Sequence, residues 1–250
     1  MIQSTRWTSP GPREVEGYRV FYTDNSAGRQ QKGALIAIRE ATLLKGGVPT
    51  SFDLVPGRAL AVRIKGRHMD WTFLTAYAPV DVLATTAVER EAFWKSLTRF
   101  TDTLPGRTTL ISGGDFNAHV DTTQDGVAGP CGAEAFTPNG EALCEWARSH
   151  SSFLPTTHLK GRPSDWTWQR SDGSVRHRLD YWTIPTFWRA YVFSRGSGVV
   201  CINPMQGATK AIDHRLICLT LQGYPRLWER YSPRPQKTSR SFSDAADGRI

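Results

Sequence analysis

At 250 residues, 39% of them hydrophobic, the chain can hold one large domain with a core or two small ones. Aromatic residues make up 11%, with nine tryptophans among them, which argues against wholesale disorder. Lysine and arginine outnumber aspartate and glutamate 31 to 23, and the net charge of +8 favours a polyanionic partner, nucleic acid foremost, or else reflects a basic tail on an ordinary domain. The four cysteines, Cys131, Cys144, Cys201 and Cys218, form no zinc-type pairs and fit a reducing compartment. No apolar run reaches membrane-spanning length, and Met1–Arg6 lacks the apolar core of a secretory signal. The expectation is a soluble intracellular protein with no membrane partner, the nucleus being one candidate compartment.

Several short strands are expected first. Tyr18–Tyr22 alternates as a strand should, and residues 24–28 read as a loop. Ala34–Ile38, Ala59–Ile64 and Trp71–Tyr77 are apolar runs separated by polar turns, and together they suggest an antiparallel meander. Thr86 and Glu89 have capping-box spacing; Phe93, Leu97, Phe100 and Leu104 then share one helical face until Pro105-Gly106 ends it. Thr109–Ser112 is a buried strand candidate running into Gly113-Gly114-Asp115. A second helix is expected from about Gly140 to Ser149, with Leu143, Trp146 and Ala147 inward. Trp166–Trp168 and Arg178–Trp182 flank Ser171-Asp172-Gly173 and read as a hairpin. Val199–Ile202 and Leu216–Leu221 are the last strands. From these, residues 1–224 form the domain, and the Pro-, Ser- and Arg-containing stretch 225–250 is a basic tail or linker.

Three segments carry chemistry. In Gly113-Gly114-Asp115-Phe116-Asn117-Ala118-His119, glycines let backbone and substrate approach closely. Asp115 and Asn117 then supply an anion and a neutral amide two residues apart. In Arg178-Leu179-Asp180-Tyr181-Trp182, an aspartate sits in an apolar strand, where it is costly unless paired. Ala211-Ile212-Asp213-His214-Arg215 places an aspartate and a histidine side by side before a strand. Each also has a structural reading: an Asx-capped turn, an ion pair with Arg176 or Arg178, and a chance pairing.

Taken together in this order and spacing, the segments resemble the endonuclease/exonuclease/phosphatase superfamily. The resembling motifs are Gly114-Asp115-Phe116-Asn117, Leu179-Asp180-Tyr181 and Asp213-His214, with Ile212 where serine is usual. Tyr77-Ala78-Pro79, Asn139-Gly140, Thr156-Thr157 and Thr167-Trp168 extend the likeness across about Gln3 to Leu221. Within the superfamily the wording is most similar to endonuclease domains of non-LTR, LINE-type retrotransposons. The resemblance implies an α/β fold, a four-layer sandwich of two mostly antiparallel β-sheets flanked by helices. It implies phosphodiester hydrolysis with Mg²⁺ or Mn²⁺, acting on DNA. Carried over residue by residue, Asp115 orients or deprotonates water and Asn117 donates to the phosphate. His214 contacts the scissile phosphate and is held by Asp180, Tyr77 aids the leaving group or binds phosphate, and Asp213 belongs to the metal. Arg176 and Arg178, with His177 between them, form a basic hairpin edge that could track a nucleic-acid backbone. His119 is expected to be a loop or DNA contact, and Trp166, Trp168 and Trp182 to be core.

The chain departs from the family at its start. Gln3-Ser4-Thr5-Arg6-Trp7 looks like the family's Gln-Glu-Thr segment with Ser4 in the place of the metal-ligand glutamate, and the preceding strand with its metal-site asparagine is missing. A hydroxyl is a poor donor for a hard cation. The expectation is therefore a truncated or decayed copy with weak or no activity. The rival readings are a non-catalytic nucleic-acid-binding remnant, a phosphatase- or sphingomyelinase-type member of the same superfamily, and an unstable fragment.

Overall fold

The computed structural model describes residues 2–3, 13–23, 33–43, 47–66, 70–80, 86–159, 166–192, 197–200 and 214–222. Ser4, Asp213 and the whole 225–250 tail lie outside the described residues. In chain order the strands are β1 (Ile2–Gln3), β2 (Arg13–Val15), β3 (Tyr18–Tyr22), β4 (Ala34–Arg39), β5 (Val48–Val55), β6 (Ala59–Lys65) and β7 (Asp70–Tyr77). They continue with β8 (Thr109–Asp115), β9 (Ser152–Phe153), β10 (Trp168–Gln169), β11 (Arg176–His177), β12 (Asp180–Pro185), β13 (Gly198–Val200) and β14 (Leu216–Cys218). The helices are α1 (Glu40–Leu43), α2 (Thr86–Asp102) and α3 (Pro138–Ser149), with 3-10 turns at Pro155–His158 and Thr186–Tyr191.

A six-stranded sheet, ordered β5-β6-β7-β8-β12-β9, carries the architecture, and a four-stranded sheet, β1-β4-β3-β2, accompanies it. All pairings in both are antiparallel except β7 with β8. The expected meander is thus divided between two sheets: β3 and β4 pair in the small one, β6 and β7 in the large one. Strand alternation sorts the large sheet's faces. Leu60, Val62 and Ile64 of β6 meet Phe21, Ile36 and Ile38 of the small sheet. Their neighbours Ala59 and Ala61 join Leu74 and Ala76 on the other face, beneath Phe93, Trp94 and Leu97 of α2 and Leu143, Trp146 and Ala147 of α3. Small side chains under the helices leave room for the large indoles and rings, and Trp94 stacks on Phe116 at 6.0 Å. Two sheets face to face with helices outside the larger one match the expected α/β sandwich. A helical layer over the small sheet is not among the described residues.

Strand β8 is buried along its whole length, so it needs apolar or small residues throughout. At Gly114 the reason is steric: a Cβ there would run into the Ala76 carbonyl oxygen of β7. Helix α3 starts where the sequence sets it. Thr137 accepts the Gly140 amide at 3.3 Å and Pro138 fills the first turn. The 166–182 segment departs from expectation. Its hairpin is confined to β10 and β11, with Trp168 opposite His177. The chain then leaves the hairpin, and β12 pairs with β8, with Asp180 opposite Asp115. Strand β5, unmarked by hydrophobic alternation, forms the edge beside β6.

One buried ion cluster closes the far end of β7. Asp70, 3% exposed, accepts two bonds from Arg63 at 2.7 and 2.6 Å, one from Arg107 at 3.0 Å and one from Thr108 at 3.0 Å. Burial alone would raise the Asp70 carboxyl, but the bonds from Arg63, Arg107 and Thr108 outweigh it and hold the group below its ordinary value. A depressed folded-state value stabilises the fold above the unfolded carboxylate range, and that contribution disappears as pH falls through the folded value. Asp70→Asn is expected to cost about 2 kcal/mol at neutral pH, measured by chemical denaturation. The gap between variant and parent is expected to narrow as pH drops below about 4. An unchanged gap at acid pH would contradict the assignment.

Candidate active site at the ends of β7, β8 and β12

Lateral pairing assembles the site. Tyr77 on β7 lies opposite Asp115 on β8, and Asp115 lies opposite Asp180 on β12. Laterally paired residues project from the same face, so three strands bring these side chains side by side. Asp115 is 5% exposed and Asp180 7% exposed. His214 enters from the segment before β14 and bridges to Trp168. Its Nδ1 is 3.0 Å from Asp180 Oδ2, and its Nε2 is 3.8 Å from Asp115 Oδ2. The imidazole is about one-third exposed, so one edge remains open to a substrate.

The surrounding backbone is fastened tightly. Thr167, fully buried, accepts the amides of Leu179 at 2.9 Å and Asp180 at 3.0 Å through its hydroxyl. Its carbonyl accepts the Arg215 amide at 2.6 Å, so one residue holds both the aspartate strand and the histidine segment. The Phe116 amide donates to the Leu179 carbonyl at 2.9 Å. Asn117 turns the chain at φ 44, a left-handed conformation, and its amide donates to Asp115 Oδ1 at 2.9 Å. The Asn117 side chain donates one Nδ2 hydrogen to the Ala78 carbonyl at 2.8 Å, which leaves its second hydrogen for a ligand. Asn139, a buried residue that the sequence marks only as part of a helix start, ties the two loops together. It donates to Pro79 O at 2.8 Å and Asn117 O at 3.2 Å, and accepts from Trp94 Nε1 at 2.9 Å.

Tyr77 is half-buried, and the Arg58 guanidinium lies 5.6 Å from its ring centroid. Arg58 also donates to the Tyr77 carbonyl at 3.2 Å and to Glu89 at 2.8 and 3.0 Å. The sequence reading overlooked this support because Arg58 falls in a turn with no motif.

The two hairpin arginines part company. Arg176 is exposed and lies 4.9 Å over the Trp166 ring, which Arg215 also covers at 3.1 Å. Arg178 is 3% exposed, with its amide on Glu134 Oε1 at 3.0 Å. A buried guanidinium offers no surface to a polyanion, which sets Arg178 apart from the exposed Arg176. Trp166 and Trp168 are half-buried beside the site rather than in the core, while half-buried Trp182 packs over Gly113. His119 joins Glu134 and His177, residues that no motif had drawn together. Asp213 falls outside the described residues.

Among the described residues, two donor groups could hold a metal: Asp115, Asp180 and His214, and separately His119, Glu134 and His177, each with its ligand atoms within 4.8 Å of one another. The paired carboxylates of the first group fit a hard, oxygen-seeking cation. An Asp–His–Asp arrangement can also hold one imidazole tautomer and move a proton at the exposed Nε2 edge.

Comparison with solved structures identifies the architecture. The endonuclease domain of TRAS1, a telomere-specific non-LTR retrotransposon, matches with a TM-score of 0.55 at 17% identity, covering 82% of this chain and 79% of that one. The AP endonuclease LMAP from Leishmania major matches with a TM-score of 0.62 at 17% identity, covering 84% and 72%. The chain shares its fold with these endonucleases and with an endonuclease/exonuclease/phosphatase family protein from Leptotrichia buccalis. In sequence, the chain is similar to the "Transposon TX1 uncharacterized 149 kDa protein" of Xenopus laevis, 32% identical over 80 residues. That match takes in 32% of this chain and 6% of the Xenopus protein. No protein-family model matches the chain. No helix among the described residues is long and apolar enough to cross a membrane.

The Asn117 turn gives a structural test. Asn117→Ala loses the bond to Ala78 and forces alanine into a left-handed turn, while Asn117→Gly loses only the bond. The alanine variant is expected to be less stable than the parent by about 2 kcal/mol and the glycine variant by about 1. Equal melting temperatures for the two variants would contradict the strained-turn account.

Proposed function

We propose that the chain is a metal-dependent phosphodiester hydrolase that acts on DNA, an endonuclease domain of retroelement origin. The observation that carries this reading is the Asp115–His214–Asp180 constellation, with Asp180 Oδ2 and His214 Nδ1 3.0 Å apart, at the strand ends of this fold. The retroelement origin draws support from the TRAS1 endonuclease domain and the Xenopus transposon protein. The basic balance of the chain and the exposed Arg176 beside Trp166 suit a nucleic-acid backbone as partner. Presence in the nucleus belongs to the same reading.

In this mechanism Asp180 holds the imidazole of His214 through Nδ1, so that Nε2 faces the scissile phosphate. Asp115 accepts a proton from, or aligns, the attacking water; its other oxygen is already anchored by the Asn117 amide, which fixes the carboxylate's direction. The remaining Asn117 Nδ2 hydrogen donates to a phosphate oxygen. Tyr77, in register with Asp115, lies where its phenol can serve the phosphate or the leaving oxygen. Asp213 would belong to the ligands of a Mg²⁺ or Mn²⁺ ion, which would neutralise charge on the phosphate and leaving group. Arg176 steers the substrate from the hairpin edge.

Nicking of supercoiled plasmid in Mg²⁺ or Mn²⁺ tests the reading. The parent is expected to nick weakly, since Ser4 stands where the resemblance implies a metal-ligand glutamate, and Asp115→Ala and His214→Ala each to slow the reaction by about 100-fold or more. A folded parent that nicks no faster than either variant would leave a nucleic-acid-binding remnant as the better reading.

A further inference from the structure

The second donor group lies apart from the Asp115–Asp180–His214 site and has no part in the proposed hydrolysis. Its residues come from two segments: His119 and Glu134 from the two ends of the long β8–α3 connection, and His177 from β11. The two imidazoles converge on a single Glu134 oxygen. His177 Nδ1 is 2.6 Å from Glu134 Oε2, and His119 Nδ1 is 3.5 Å from the same atom. We propose that His119, Glu134 and His177 form a binding site for a borderline transition-metal ion of the Zn²⁺ class.

The donor set decides the class of ion. Two imidazole nitrogens and one carboxylate form a set used by open zinc sites, whereas Mg²⁺ wants oxygen donors. A tetrahedral ion with bonds of about 2.0–2.1 Å places its donor atoms about 3.3 Å apart. The separations of 2.6 and 3.5 Å from Glu134 Oε2 bracket that value, so small side-chain shifts suffice. The three side chains are 26–30% exposed, which leaves a fourth position open to water or an anion.

The supports behind the donors are already in place. Glu134 Oε1 accepts the Arg178 amide at 3.0 Å, which turns Oε2 toward the histidines. The His119 amide donates to Thr137 Oγ1 at 3.1 Å. Gly140 packs so closely on the His119 carbonyl that a Cβ there would collide with it. The His177 ring lies between Trp168 at 6.0 Å and His119 at 4.3 Å in a stack. An ion here would pin the β10–β11 hairpin to both ends of the β8–α3 connection. It would act next to the catalytic candidates, because Trp168 also bridges to His214.

Metal titration of the full chain tests this, with Co²⁺ as the spectroscopic probe and Zn²⁺ as its competitor. One Co²⁺ per chain is expected, with the visible absorption of a tetrahedral nitrogen–oxygen site, no thiolate band, and displacement by Zn²⁺. Affinity is expected to fall about tenfold or more in His119→Gln, His177→Gln and Glu134→Gln, and to hold in Asp115→Asn. Thermal melts identify which variants are folded, and at least two folded ligand variants decide the result. Zn²⁺ is also expected to raise the melting temperature of the parent and not of those variants. The proposal is overturned if the parent binds no Zn²⁺ at micromolar concentration, or if a thiolate band assigns the ion to cysteine. It is equally overturned if the folded ligand variants bind as tightly as the parent, so that Glu134 serves only as a hydrogen-bond acceptor shared by two imidazoles.

Discussion

The pairing of β8 with β12 is the constraint on which the rest depends. Asp115 and Asp180 are laterally paired because these two strands run antiparallel in one register, and a slip by one residue would turn one carboxylate to the opposite face. Gly114 secures the other side of the same strand. With no Cβ, it lets the Ala76 carbonyl close in, so β7 can lie against β8 and carry Tyr77 to the level of Asp115. The buried hydroxyl pair of Ser112 and Thr183 links β8 to β12 one layer further in. Two buried carboxylates therefore sit where the sheet's hydrogen bonds hold them, and His214 Nδ1 approaches one of them.

The energetics of this arrangement are uneven. Buried carboxylates are costly unless they are paired or hydrogen-bonded. Asp70 satisfies that demand with two arginines and a threonine, and the result is a structural clamp. Asp115 and Asp180 are as buried as a clamp but face a partly open histidine instead of an arginine. A carboxylate pair placed against an ionisable ring at a strand end is suited to chemistry more than to stability. Thr167 reconciles the two demands by binding the Leu179 and Asp180 amides and the Arg215 amide, so that the partly exposed ring is carried on hydrogen-bonded backbone.

Much of this was legible in the sequence. The 3.6-residue spacing of Phe93 and Leu97 marked α2, and Thr137 and Pro138 are the local reasons for the start of α3. Asp115, Asp180 and His214 were found by motif, and the structure brings them together. Alternation shows that a segment is extended but not which strand it joins. That is why the segment at 178–182 read as half of a hairpin, although it crosses to β8, and why one expected meander became two sheets. Strand β5 escaped notice because Val48–Val55 is an edge strand with a proline and no fully buried position, so its apolar pattern is weak. Arg178 misled because a charged residue in a short strand reads as solvent-facing, yet it is buried and its amide donates to Glu134. Glu134 itself lies in a loop with no periodicity. Only tertiary contact joins it to His119 and His177.

The central claim is that Asp180 acts through His214. It is tested most directly by a double-mutant cycle on DNA nicking, with Asp180→Asn, His214→Ala and the pair combined. The account predicts that the double variant is no slower than His214→Ala alone, because an aspartate with no ring to hold has nothing left to contribute. Losses that multiply across the cycle would contradict it, and would mean that Asp180 serves the reaction independently of His214.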